Sequence, residues 1–185
     1  PLNILTELPG IERVVKDKTS KTGLPSIAHY IHKLFVVSDN DASNRLYEFL
    51  GRDYLNQRLW DLGYIETRIR HRLDISLSKK QNRYTSPFRF FHDGSIIYEQ
   101  PSQKAKIDLD VNYNDYLIGK AHMKNGNRIE QPFDFSKKNF MSLMEQQYFL
   151  IKVMFPETAP EDKQLNLTED DYKFLYGKMS LLPRE

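Results

Sequence analysis

No cysteine occurs among the 185 residues. Disulfide staples, thiolate nucleophiles and zinc–thiolate centres are therefore excluded, and packing and hydrogen bonding must hold the fold. Long apolar runs are missing too, since no stretch approaches the roughly 18 residues of a membrane-spanning helix. No signal peptide opens the chain, which starts at Pro1 without an initiator Met; this is expected of a processed or partial polypeptide. Glycine is sparse, at 8 residues placed at helix ends and turns, and no glycine-rich phosphate loop can be assembled from them. An excess of one charge is lacking as well. Lys and Arg number 27 against 25 Asp and Glu, a net +2 far from the strongly basic balance of a dedicated nucleic-acid binder.

Aromatic surface is what the chain has in quantity, with 11 Tyr and 11 Phe. Such side chains supply most of the area a core can bury, so the composition argues against disorder and for one folded domain.

Hydrophobic spacing divides the chain into helices, hairpins and helices again. Residues 1–24 are mixed, and "KDKTSKTG" within them reads as a loop. From Pro25, a residue suited to a first helical turn, Ile27, Ile31, Leu34 and Phe35 share one face of a helix predicted to Val37. Ser38-Asp39-Asn40 interrupt it. A second stripe (Ala42, Leu46, Phe49, Leu50) then ends at Gly51, and a third (Leu55, Leu59, Leu62) ends at Gly63. "TRIRHRLDISLSKKQNRYTSP" follows as a long basic loop. From Phe88 the pattern alternates, giving one hairpin turning at Asp93-Gly94 and another at Asn125-Gly126. Ser136 is the expected N-cap of a helix running to Phe155, and a last helix is expected from Thr168.

The interruption at Ser38-Asp39-Asn40 has two readings. Ser, Asp and Asn are cap and turn formers, so a plain corner between helices suffices. Alternatively, the corner presents a hydroxyl and an amide to a substrate. "SDNDASNRLYEFLG" resembles the second motif region of the penicillin-recognising serine hydrolases, the class A β-lactamases and related transpeptidases and carboxypeptidases. Their motif set is S-x-x-K, S-D-N and K-T-G. The context matches beyond the tripeptide: an apolar helix runs into the motif, Ala42 and Asn44 follow, helices end at Gly51 and Gly63, and "TRIRHRLD" stands where those enzymes begin their omega loop. The resemblance covers Ser26 to about Asp74, with the helix at 136–155 as a looser continuation.

The resemblance implies an acyl-enzyme mechanism in which a lysine-activated serine attacks a carbonyl. Ser38 would relay a proton to the leaving amine, and Asn40 would turn its amide to the substrate and the catalytic lysine. Asp39 would fix the corner by accepting backbone N–H groups, and Asn44 would brace the omega loop from beneath. No cofactor or metal is implied. Substrates would be peptide-like amides, esters or β-lactams, and the setting extracytoplasmic, either periplasmic or lipid-anchored through a missing N-terminus.

The chain also departs from the pattern. The nucleophile motif belongs well upstream of S-D-N, yet only 37 residues precede Ser38 and none reads S-x-x-K. Ser76-Leu77-Ser78-Lys79 matches but lies after S-D-N, and Ser20-Lys21-Thr22-Gly23 resembles the third motif but lies before it; both are expected to be decoys. No glutamate occurs between Glu66 and Glu99, so the omega-loop glutamate position falls on Leu73 or Leu77, beside Asp74 in the first case. The expected fold is therefore α+β: a mostly helical subdomain at 25–83, a β-hairpin insertion at 84–135 and helices at 136–185. Together they form one partial domain of a serine β-lactamase- or transpeptidase-like fold that lacks its α/β half. The chain alone is expected to be inactive and to self-associate through the face so exposed. A non-catalytic binding or sensing module, of the same or an unrelated helical fold, is the alternative.

The remaining polar clusters read as structural. His29 and His32 share a helix face without a third ligand, as expected of a partly buried hydrogen-bonded pair. The basic run from Arg68 to Arg83 reads as a solvated loop, not a nucleic-acid site.

Overall fold

A computed structural model of the chain describes residues 2–4 and 12–182. It is an α+β structure in which helices precede and follow a block of short antiparallel strands. Strand β1 (Leu2–Ile4) is followed by helices α1 (Ile27–Val37), α2 (Asn40–Leu50) and α3 (Arg52–Asp61). Strands β2 (Phe88–His92) and β3 (Ser95–Gln100) form a hairpin, and β1 pairs with β2 to complete a sheet of order β1-β2-β3. Two further antiparallel pairs are nested: β4 (Leu117–Ile118) with β7 (Phe133–Asp134), enclosing β5 (His122–Lys124) with β6 (Asn127–Ile129). Helices α4 (Leu143–Met154) and α5 (Glu169–Met179) end the described chain.

Local chemistry accounts for most of these boundaries. The Ser26 hydroxyl accepts the His29 N–H and starts α1, so Pro25 lies just outside the helix and not in its first turn. Thr168 and Asp171 form a reciprocal capping box at the head of α5. The hairpin turns adopt positive φ at both central residues, Asp93 (47°) with Gly94 (79°) and Asn125 (51°) with Gly126 (78°). Paired positive φ matches the twist of the flanking strands, which is why Asp-Gly and Asn-Gly are favoured there.

Ser136 does not begin a helix. Its backbone N–H goes to the Asp134 carboxylate, and Phe140 pairs with Arg68 in an isolated antiparallel bridge. The helix α4 starts only after Ser142, whose hydroxyl accepts the Glu145 N–H. The core lies between the first sheet and the helix pair α1–α2, where Ile4, Tyr30, Ala42 and Phe88 are buried, with Leu46, Phe49 and Phe90 packed around them. The chain from 1 to 24, read as mixed, thus contributes a core strand, and Ile4 pairs with Val14 besides.

Candidate active site

The corner between α1 and α2 is built by its own side chains. Ser38 ends α1 in the left-handed conformation (φ 53°, ψ 43°), and its N–H returns to the Lys33 carbonyl. Left-handed backbone is costly for a residue bearing a Cβ. Asp39 then caps α2, accepting the Ala42 N–H at 2.8 Å while its other carboxylate oxygen lies 2.9 Å from Lys33 Nζ. Burial works against its charged form, but the Ala42 N–H and Lys33 outweigh it and hold the Asp39 carboxyl below the usual range. Ser38 and Asn40 are exposed and make no side-chain hydrogen bond among the described residues. The corner therefore offers an open hydroxyl and an open amide from a backbone fixed on both sides.

Asn40, Asn44 and Glu48 are spaced four apart and form one row along α2. Asn40 heads the row in solvent, and the other two are buried against the loop that follows α3. Asn44 binds Leu73 in both directions, donating to its carbonyl at 2.8 Å and accepting its N–H at 2.7 Å. Glu48 accepts the Arg72 Nε–H at 2.9 Å and the Ser86 N–H at 3.0 Å.

Asparagine amides pin the rest of that loop. Asn56 exchanges both bonds with Ile69 at 2.8 Å each, and the Asn139 carbonyl oxygen accepts the N–H groups of Arg70 (2.7 Å) and His71 (3.0 Å). Asn82 accepts the Arg72 N–H at 3.1 Å. A segment without helix or strand thus has its backbone groups satisfied by side chains, as buried irregular chain requires. The basic run is accordingly a solvated patch only at Lys79 and Lys80: Arg72 is fully buried on Glu48, Arg70 is buried, and the Arg68 guanidinium sits 4.8 Å over the Trp60 ring. Glu48 and the three additional asparagines escape a reading by motif. The only local signal was the polar row at helical spacing on α2.

Ser76 and Lys79 do not form a nucleophile pair. They lie in extended chain and a turn ahead of the short 3-10 segment Gln81–Arg83, and Lys79 Nζ contacts both Asp110 carboxylate oxygens at 2.7 Å. Ser20–Gly23 is a loop ahead of α1, closed by the Gly23 N–H to the Ser20 carbonyl. His29 and His32 stack with ring centres 6.1 Å apart, and His29 Nε2 lies 2.9 Å from Thr19 Oγ1. No group of three or more metal-ligating side chains is assembled among the described residues. Nor is any of their helices long and apolar enough to cross a membrane.

Comparison with known proteins returned no match among curated proteins and none among solved structures. A sequence profile described as the β-lactamase enzyme family, however, matches residues 7–107. That span is more than half of the chain and includes the Ser38 corner, the polar row on α2 and the pinned loop. The chain belongs to the β-lactamase enzyme family.

Proposed function

We propose that the chain supplies the helical side of the active site of a serine acyl-transfer hydrolase acting on peptide-like amide, ester or β-lactam bonds. The observation that carries this reading is the open Ser38–Asn40 corner at the head of a row whose lower members, Asn44 and Glu48, hold the loop beneath it. In the reaction a serine outside these residues attacks the carbonyl and forms an ester, and the C–N bond breaks. The departing nitrogen needs a proton. The Ser38 hydroxyl can donate one and take one back from its neighbour, and the Asn40 amide can orient the substrate's own amide.

The nucleophile is assigned elsewhere because no S-x-x-K precedes Ser38, and Lys79 is engaged with Asp110 instead of facing a serine. On this reading 25–83 is the helical subdomain, 84–135 a hairpin insertion and 136–185 its returning helices, all parts of one domain completed by an α/β half. Exposed apolar residues on α4 support a missing neighbour. Leu143 is 83% exposed and Met144 58%. Self-association of the isolated chain through such surface follows, and sedimentation at several concentrations tests it. The setting is extracytoplasmic, as is general for the family, by periplasmic export or a lipid anchor.

The full reading frame tests the assignment directly. An S-x-x-K well upstream of Ser38 and a K-x-G strand downstream are expected, whereas the chain by itself should take no label from a fluorescent penicillin. A second reading, a non-catalytic binding or sensing module of the same family, is favoured by the lack of an S-x-x-K ahead of Ser38. Absence of S-x-x-K from the full frame would select it.

A further inference from the structure

A cavity of about 580 Å³ lies on a different part of the pinned loop, between residues 70–82, 109–113 and 136–138. None of Ser38, Asp39 or Asn40 lines it. Its walls carry five cationic side chains, Arg52, Arg70, Lys79, Lys137 and Lys138, against one carboxylate, Asp110. Lys79 already occupies that carboxylate, with both oxygens at 2.7 Å.

Arg70 is the unusual member. Its side chain is 9% exposed, yet it makes no hydrogen bond among the described residues. Nε and Nη2 are sealed without partners, and Nη1 stands 3.9 Å from Asp110 Oδ1, beyond hydrogen-bond reach. Its guanidinium lies 5.8 Å over the Phe140 ring. Burial pushes its pKa down from the ordinary arginine value, with Asp110 pulling the other way. Arg52, whose side chain is 5% exposed, spends Nη2 on the Ile107 carbonyl and leaves Nε without a hydrogen-bond partner. A buried guanidinium without acceptors is destabilising unless something compensates its charge. Ile75, Leu77, Leu109 and Val111 give the cavity apolar wall, beside the polar Ser76, Asn82 and Ser136.

We infer that this cavity binds a small molecule carrying an oxyanion, carboxylate or phosphate, on an apolar body, with the oxyanion against Arg70 and Arg52 and the exposed Lys137 and Lys138 at the rim. The apolar walls take the body, and the anion meets Arg70 at Nη1, because Nε and Nη2 are shut off from the cavity as well as from solvent. A guanidinium suits either oxyanion, so the head group is distinguished by experiment.

Calorimetric titration of the chain with 4-phenylbutyrate, phenyl phosphate and neutral 4-phenylbutanol provides the test. At least one of the two anions should bind at least tenfold more tightly than the alcohol and weaken with added salt, and the tighter anion identifies the head group. Arg70→Met should lower anion affinity at least tenfold without lowering the melting temperature, because it removes a buried guanidinium that has no hydrogen-bond acceptor in the protein. Lys137→Ser combined with Lys138→Ser tests the same field on exposed residues that the fold does not need, and should weaken binding severalfold. Equal binding of alcohol and anions, no anion binding at millimolar concentration, or unchanged affinity in the double lysine variant would each overturn the inference.

Discussion

Glu48 and Arg72 face each other at 2.9 Å with both side chains essentially sealed from solvent. Arg72 also donates to the Tyr84 carbonyl at 2.6 Å, so the pair links α2 to two separate turns of the following loop. Removing one partner of such a pair leaves the other charge buried. Glu48→Gln is therefore expected to cost about 3–5 kcal/mol, read from urea unfolding. Adding Arg72→Met should recover part of that loss. A single-variant cost below 1 kcal/mol would show that solvent reaches the pair.

Asn44 should control the order of the loop locally. Asn44→Ala removes a donor and an acceptor from Leu73 and is expected to cost about 1–3 kcal/mol. Amide exchange at Leu73 should accelerate, while Arg70 and His71, held by Asn139, change less. Equal acceleration across residues 69–73 would mean that the loop opens as one unit.

Asp39 gives the corner a pH dependence of definite sign. Its carboxyl titrates in the folded chain below the ordinary aspartate value of 3.8. A depressed folded-state pKa contributes stability that is fully present above 3.8 and lost as pH falls through the folded value. Asp39→Asn keeps a competent cap but not the Lys33 pair. The stability difference between wild type and Asp39→Asn should therefore be constant near neutral pH and shrink below about pH 4. A difference that grows on acidification would reverse the assignment.

The legibility of this molecule followed the range of its interactions. The helix start at Thr168, the Asp39 corner and the two paired positive-φ turns depend on neighbours in sequence, and the pattern carried them, whereas the cap at Ser26 was missed for Pro25. Ser136 was misread because its N–H is taken by Asp134 while Asn139 and Phe140 reach back to the loop, leaving the helix to begin after Ser142. The burial of Arg70 and Arg72 depends on Glu48, Tyr84 and Phe140, residues distant in sequence, so a run of arginines gave no sign that half of it lies inside. The corner at Ser38 was legible as a break between helices and Asn44 as a brace of the loop, whereas the clamps from Asn56, Asn82 and Asn139 were not.

Deacylation by the complete enzyme should be slow. Leu73 is held by its backbone, Leu77 faces the cavity, and Asp74 is exposed with φ 54°, so on the proposed alignment a leucine takes the place of the deacylating base. Lack of a general base typically costs about 10²–10⁴-fold, enough for a penicillin adduct to persist through intact-protein mass spectrometry. Asp74→Asn should leave the lifetime of that adduct unchanged. Rapid turnover abolished by Asp74→Asn would make Asp74 the base.

On the proposed function, Ser38 serves a nucleophile supplied from outside these residues. The product of the full reading frame, treated with benzylpenicillin, digested and sequenced by mass spectrometry, measures this most directly. One acyl group is expected on the serine of an S-x-x-K upstream of Ser38, forming about 10²–10⁴-fold more slowly in Ser38→Ala if the hydroxyl relays the proton. An acyl group on Ser76, or acylation of Ser38→Ala at the wild-type rate, would contradict the account.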